Sequence, residues 1–166
     1  MRQAMLGFCV LAAACSSQPV SPTAASAVVS VAGTQTQATG GGNVQVTFTK
    51  WIDPAFPAFA GVAGGDVPGT FAATVLRRTP FDNGNIIQLE ARYEVIGDDP
   101  GHSFVALIEG TQITQTERAV LNGTVIEGWL TGAQVHVTFD VIRPCPQFVK
   151  PACFSGVIRV MPGSAD

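Results

Sequence analysis

The chain has 166 residues, of which 46% are hydrophobic and 13% are charged, and its formal net charge is −3. This composition is far from the signature of disorder and provides enough apolar side chains for one folded domain with a sizeable core. Nine basic residues stand against twelve acidic ones, and the only basic cluster is the pair Arg77-Arg78. We therefore expect no nucleic-acid partner and interpret this pair as a solvated strand end.

An export signal is predicted at the amino terminus. Arg2 precedes an uncharged run over residues 4–14, which has the length of a signal-peptide core and is too short to span a bilayer. The run ends in Ala12-Ala13-Ala14-Cys15, and small residues before a cysteine at this place resemble a bacterial lipobox. The resemblance implies a signal over 1–15 whose Cys15 is lipidated and anchors the protein to the membrane of a bacterial envelope. The alternative is cleavage without lipidation, which would give a secreted or periplasmic protein.

A linker is predicted over residues 16–42. This segment consists mainly of Ser, Thr, Ala, Gln, Pro and Gly, carries no charge and ends in three glycines. Such a composition is typical of flexible, extended chain. A short edge strand over 27–31 is the one regular element that this segment could add.

Residues 43–166 are predicted to form an all-β domain. Val44, Val46 and Phe48 alternate with polar residues, and the same period of two recurs along the chain, as a strand with one buried face requires. The predicted strands cover 43–52, 69–79, 86–95, 102–112, a hairpin over 119–142, and 153–161. Between the first two, three prolines and a glycine pair indicate that most of 53–68 lacks regular structure.

Seven or eight strands joined by short links favour a single antiparallel meander. We expect this meander to close into a small barrel, because closure removes the exposed sheet edges, with a β-sandwich as the alternative. Gly123 and Gly156 are then expected where the sheet bends sharply.

Two cysteines of the predicted domain bracket the link before the last strand. An even cysteine count in an exported domain predicts a disulfide between Cys145 and Cys153. Two cysteines without a nearby histidine pair make a poor zinc site, so we expect no metal.

The acid–base candidates are His136, Glu90 and Tyr93. His136 lies on the polar face of its strand, and Asp140 on the same face is about 13 Å away, too far for a His–Asp pair. If the polar face lined a barrel lumen, His136 could meet Glu90 or Arg92 of another strand. Otherwise His136 is a solvated strand residue.

The segment 53–68 and its flanks are unusually apolar for a surface connection. Trp51, Phe56 and Phe59 must cover something, because exposed apolar patches are costly or functional. They would form either a plug over one end of the barrel, the lip of a pocket for a small apolar ligand, or a surface for a protein partner.

The run of short strands resembles the allene-oxide-cyclase-like and lipocalin-like barrels. The alternation of Gly-Thr-Phe with Gly-Thr-Val is also similar to that of exported bacterial proteins of this shape. The resemblance covers about residues 43–161, implies a small barrel and assigns no functional residue.

Three functions are compatible with these features, and none of them requires a cofactor. The first is a non-enzymatic, lipid-anchored envelope module that presents a disulfide-stapled β-domain to a partner. The second is a carrier of a small apolar ligand in a lumen covered by the 53–68 loop. The third is an isomerase or cyclase that uses the lumen. A packed interior would favour the first, an open apolar cavity the second, and converging ionisable groups the third.

Overall fold

The fold is a closed barrel of eight antiparallel strands. The computed structural model describes residues 42–145 and 150–163, and within these ranges it contains no α-helix, only short 3-10 turns at Asp82–Gly84 and Pro100–His102. Each strand pairs with the next, and the first pairs with the last. The strands are β1 (Val44–Ile52), β2 (Ala58–Gly65), β3 (Gly69–Phe81), β4 (Ile86–Gly97), β5 (Phe104–Ile113), β6 (Arg118–Gly128), β7 (Gln134–Ile142) and β8 (Cys153–Met161).

This architecture confirms the predicted meander and its closure into a barrel rather than a sandwich. Adjacent strands are joined by short links and pair in sequence order, so every strand edge is hydrogen-bonded to a neighbour. The predicted signal over 1–15, nearly all of the predicted linker and the short strand at 27–31 lie outside the described residues. Within the described ranges, no helix has the length and apolarity needed to cross a bilayer.

Alternation along the strands fills the interior with apolar side chains. In β4, Ala91, Tyr93 and Val95 are buried, whereas the side chains between them are partly exposed. The other strands contribute buried rows in the same way, and together these rows form a single core cluster. The period of two therefore separates an apolar interior from an outer face that mixes polar side chains with exposed apolar ones such as Leu76, Leu107 and Val120.

One prediction is wrong: 53–68 is not mostly irregular, because β2 occupies Ala58–Gly65, which is half of this segment. The prolines that suggested a loop lie outside this strand, and its sequence, Ala-Phe-Ala-Gly-Val-Ala-Gly-Gly, has few of the side chains that favour strands. The strand is nevertheless hydrogen-bonded along both sides, to β1 and to β3. Tertiary pairing therefore overrides a weak local preference.

The two ends of the barrel differ. At one end Val67 and Phe104 are buried and fill the interior. The opposite end, which we call the mouth, carries the β1–β2 connection at 53–57, the Asp82–Gly84 turn and the connection between β7 and β8. The mouth is where the interior opens to solvent.

The predicted disulfide is confirmed by the positions of the two cysteines at the mouth. Cys145 and Cys153 are bonded, their Cα atoms lie 5.2 Å apart, and both side chains are buried. A backbone bridge between Cys145 and Lys150 closes the same connection. The bond therefore staples the end of β7 to the beginning of β8.

Removing this disulfide is expected to lower the free energy of unfolding by about 2.5 kcal/mol, because the unfolded chain regains the conformational freedom of the closed ring. The measurement is urea unfolding of the wild type with and without a phosphine reductant. The double variant Cys145→Ser/Cys153→Ser serves as the control, since the reductant should leave its transition unchanged. Equal midpoints for the oxidised and reduced wild type would contradict the expectation.

Candidate functional site

A lysine lies inside the barrel. Every second residue of β1 faces the interior, and this inward row includes Val46, Phe48 and Lys50. Lys50 is only 3% exposed. Lys50 is paired with Gly61 of β2 and Phe154 of β8, so the barrel wall surrounds its backbone on both sides. Lys50 is the one charged residue that is buried in the described part of the chain.

Aromatic rings surround the Lys50 ammonium group, and we call this set the aromatic cage. The distances from Lys50 Nζ to the ring centroids range from 4.1 Å for Tyr93 to 5.9 Å for Phe71. Each ring comes from a different strand. The six residues of the cage are Phe48, Phe59, Phe71, Tyr93, Phe139 and Phe154. Rings within about 6 Å of a cation attract it through their negative faces, so the cage favours the ammonium form of Lys50.

Burial acts on Lys50 in the opposite direction. Removal from water disfavours the charged amine and lowers the pKa of Lys50 from 10.5 to about 7. The same desolvation raises the pKa of the Tyr93 hydroxyl, so Tyr93 stays protonated at neutral pH. Lys50 Nζ donates a hydrogen bond to Tyr93 Oη. In the described part of the chain, no carboxylate forms a salt bridge with Lys50, so nothing neutralises its charge.

A cavity of about 240 Å³ connects this lysine with the mouth. Lys50, Tyr93, Leu89 and Phe139, which are buried, line it together with the cage ring Phe59 and with Phe56, which is exposed at the mouth. The walls are thus mainly aromatic and aliphatic, with a few polar groups, which is the usual composition of a small-molecule site. The volume lies below the usual range of about 300–1,000 Å³ for such pockets, so a ligand must be small.

The charged residues that line the cavity are all basic. Arg78 and Arg143 lie at the mouth and are exposed, and no Asp or Glu lines the cavity. Arg143 is paired with Glu117, whereas Arg78 has no ion-pair partner in the described ranges. The charged groups that face the cavity itself are therefore all cationic.

A β-bulge sets the direction of Arg78. The register of β3 on β4 shifts between Val75 and Arg77, so that Arg77 is paired with Glu90 and Arg78 is paired with the inward residue Leu89. Without the bulge, alternation from Val75 would place Arg77 on the inward row. Bulges commonly redirect side chains in this way next to functional sites. The pair that we interpreted as a solvated strand end is thus split between the outer face and the cavity mouth.

A larger concavity of about 680 Å³ lies on the outer face of the barrel, over β4 to β7. It is an open groove whose lining contains Glu90 and Glu109 but no aromatic residue. Most of its lining residues are polar, but the groove is open to solvent and does not exclude water from a ligand. We therefore place the candidate site in the cavity at the mouth.

The structure does not bring the three acid–base candidates together. Tyr93 is buried in the interior, but His136 and Glu90 lie on the outer face. His136 Nδ1 is 2.8 Å from Asn122 Oδ1, and Glu90 forms an ion pair with Arg77 at 3.3 Å. Of the three, only Tyr93 lines the cavity.

The predicted ligand-binding residues also separate. Phe56 and Phe59 pack edge to face, with ring centroids 6.3 Å apart, and both line the cavity. Trp51 follows Lys50 in β1 and therefore lies on the outer face. The segment at the mouth is the connection 53–57 rather than the whole of 53–68, since β2 forms part of the barrel wall.

Lys50 is the candidate site residue that the sequence analysis missed, although a signal for it was present. The alternation of Val44, Val46 and Phe48 puts position 50 in the inward phase, where a lysine conflicts with the pattern. In the described ranges, no cluster of three or more His, Cys, Asp or Glu side chains could hold a metal ion. The site is therefore a lysine–tyrosine pair in an aromatic cavity.

Comparison of the chain with protein-family models, with curated proteins and with solved structures found no match in any of the three. The function must therefore be inferred from the geometry of the site itself.

Proposed function

We propose that the barrel is a non-enzymatic carrier or binder of a small apolar molecule, which enters through the mouth and places one polar group near Lys50. The observation that carries this proposal is a buried lysine that lines an aromatic cavity open to solvent and has no carboxylate partner among residues 42–145 and 150–163. This is the second of the functions that the sequence allowed. Lys50 and Tyr93 are also two ionisable groups that meet in the interior, which is the feature expected of the third function, an isomerase or cyclase, and we keep that function as the alternative.

Stability alone gives no reason for Lys50. A buried amine loses its hydration, whereas a leucine or methionine at the same place would pack against the cage without that loss. The other inward residues of β1, such as Val46 and Phe48, are apolar, as a purely structural barrel requires. A local conflict of this kind in an otherwise consistent fold is expected at functional sites.

The lining of the cavity specifies the ligand chemistry. Phe56 and Phe59 offer ring faces and edges to an aromatic ring or a short hydrocarbon chain. Lys50 and the hydroxyl of Tyr93 offer hydrogen bonds at the inner end. Because the charged lining residues are all basic, the polar group of the ligand is an oxygen that accepts hydrogen bonds rather than a cation.

The cellular location of the protein is proposed from its amino-terminal sequence. We propose that the protein is exported and held on a bacterial membrane by lipidation of Cys15, with residues 16–42 as a linker. The closed barrel is compatible with the lipocalin-like and allene-oxide-cyclase-like resemblance, which we retain as a proposal about fold. A short apolar ligand close to a membrane surface would suit such a carrier.

Binding of 3-phenylpropan-1-ol, which carries a ring, a short chain and one hydroxyl, tests the proposed function by isothermal titration calorimetry. Phe56→Ala is expected to weaken binding about 2- to 13-fold, since one aromatic contact contributes about 0.5–1.5 kcal/mol. Phe81→Ala is the matched control: Phe56 and Phe81 are 52% and 49% exposed, but Phe81 does not line the cavity. Phe81→Ala should bind 3-phenylpropan-1-ol with the affinity of the wild type.

The proposal would be contradicted if 3-phenylpropan-1-ol, benzyl alcohol and indole all failed to bind the wild type at millimolar concentration. Equal losses for Phe56→Ala and Phe81→Ala would also contradict it, because they would place the ligand outside the cavity.

A further inference from the structure

We infer that Lys50 captures small aldehydes and ketones as an imine, so that the cavity is a covalent, reversible site for carbonyl compounds. This inference rests on the proposed binding of small apolar molecules in the same cavity, and it names the chemical class that the site selects.

The geometry supplies the nucleophile in a suitable place. Lys50 Nζ is buried, lines the cavity and is held by the aromatic cage and by Tyr93 Oη. The apolar walls hold the hydrocarbon part of a ligand, so its carbonyl group is directed toward the inner, polar end. Fixing an amine and a carbonyl in one cavity replaces a bimolecular encounter with a reaction inside a complex.

Desolvation supplies the amine in its reactive form. The pKa of Lys50 is lowered to about 7, so a large fraction of its amine is unprotonated at neutral pH. An exposed lysine with an ordinary pKa near 10.4 has less than about 0.1% of its amine unprotonated under the same conditions. A lysine desolvated in an apolar pocket is a known form of activated nucleophile.

The reaction is balanced with groups that the cavity contains. The unprotonated Lys50 nitrogen adds to the carbonyl carbon, so that the C–N bond forms and the C=O π bond breaks. The carbonyl oxygen takes a proton from the Tyr93 hydroxyl, which takes one from the nitrogen in turn, and the product is a neutral carbinolamine. The Tyr93 hydroxyl then donates a proton to the departing hydroxyl, which leaves as water, and the nitrogen proton returns to Tyr93. Imine and one water are the products, and the water leaves through the mouth.

The chain has a built-in comparison, because its only other lysine is Lys150. Lys150 is exposed, whereas Lys50 is enclosed by the aromatic cage. Both meet the same aldehyde in one experiment, and peptide mapping separates them.

The test exposes the folded wild-type protein to 3-phenylpropanal and sodium cyanoborohydride at pH 7. The hydride adds to the imine carbon and gives a stable secondary amine, so the modified peptide gains the mass of the aldehyde minus one oxygen atom. We expect labelling at Lys50 to be at least about 10-fold faster than at Lys150, in accordance with the larger unprotonated fraction. Lys150→Arg should label at Lys50 as the wild type does, and Lys50→Met should lose this adduct.

The saturated alcohol separates the two proposals. If 3-phenylpropan-1-ol binds and competes with the aldehyde, but the adducts lie only on Lys150 or the terminal amine, the covalent inference is overturned and the proposed binding stands. If the alcohol does not bind and Lys50 is not labelled, both proposals fail. Labelling of Lys50 that the alcohol suppresses supports both.

Discussion

Replacing Lys50 with methionine is expected to stabilise the barrel at neutral pH and to flatten the pH dependence of its unfolding. The pKa of Lys50 is about 7 in the folded protein and 10.5 in the ordinary, solvated state. Between these values the unfolded chain binds more protons than the folded one, so stability rises with pH. The penalty for burying the amine is therefore fully present below about pH 7 and is relieved as the pH increases toward 10.5.

The expected size of this effect follows from the free energy of a pKa difference. The wild type should gain about 2 kcal/mol of unfolding free energy between about pH 7 and about pH 9, since each pKa unit is worth about 1.4 kcal/mol. Lys50→Met should lack this increase. At about pH 7 the variant should be more stable than the wild type by about 2 kcal/mol, because the relief of desolvation exceeds the loss of the Tyr93 hydrogen bond.

Urea unfolding at several pH values measures both the increase in the wild-type unfolding free energy with pH and the difference between wild type and Lys50→Met at about pH 7. The pH range ends near 9 so that the ionisation of Tyr93 does not interfere. Burial raises the pKa of Tyr93 above its ordinary value of 10.0, so above pH 10.0 the unfolded chain loses this proton first and the folded protein is destabilised. Lys150→Met is the matched control, since Lys150 is exposed, and it should keep the wild-type pH dependence. A Lys50→Met variant with the same increase between about pH 7 and about pH 9 as the wild type would show that the lysine is not desolvated.

Replacing Gly123 with alanine is expected to destabilise the barrel by about 3 kcal/mol or more, an effect at the upper end for a single added methyl group. Gly123 of β6 is paired with Ile108 of β5. A Cβ atom on Gly123 would lie 2.8 Å from the Cα atom of Ile108 and closer still to the carbonyl oxygen of Leu107. Both obstacles are backbone atoms of a hydrogen-bonded strand, so no rotamer change can relieve the overlap.

Gly156 provides an independent case of the same constraint. A Cβ atom there would lie 2.8 Å from the Cα atom of Phe139 and closer to the carbonyl oxygen of Thr138. Gly163→Ala is the control, because a Cβ atom on Gly163 would have no neighbour within 4 Å, and its effect should stay within about 0.5 kcal/mol. Urea unfolding of the three variants is the measurement. Small losses for Gly123→Ala and Gly156→Ala would mean that the strands can separate without penalty.

The sequence determined which residues form strands wherever alternation was clear. In β4 and β7 the buried side chains are the ones that the period of two assigns to the interior, because one face of each strand must avoid water. The disulfide could also be predicted from the sequence, since only two cysteines remain in the predicted domain. β2 was missed because alanine and glycine carry little local preference for a strand, and only pairing with β1 and β3 makes it one.

The candidate site was decided by the tertiary structure. Alternation alone indicates that Lys50 faces inward, but it does not show what surrounds the amine. The cage rings come from six different strands, and Phe154 lies about a hundred positions along the chain from Lys50, so the cage exists only after β8 pairs with β1. Closure of the barrel places Lys50, a polar residue in an otherwise apolar inward row, in an aromatic cavity where its amine is desolvated. The same closure leaves His136 on the outer face.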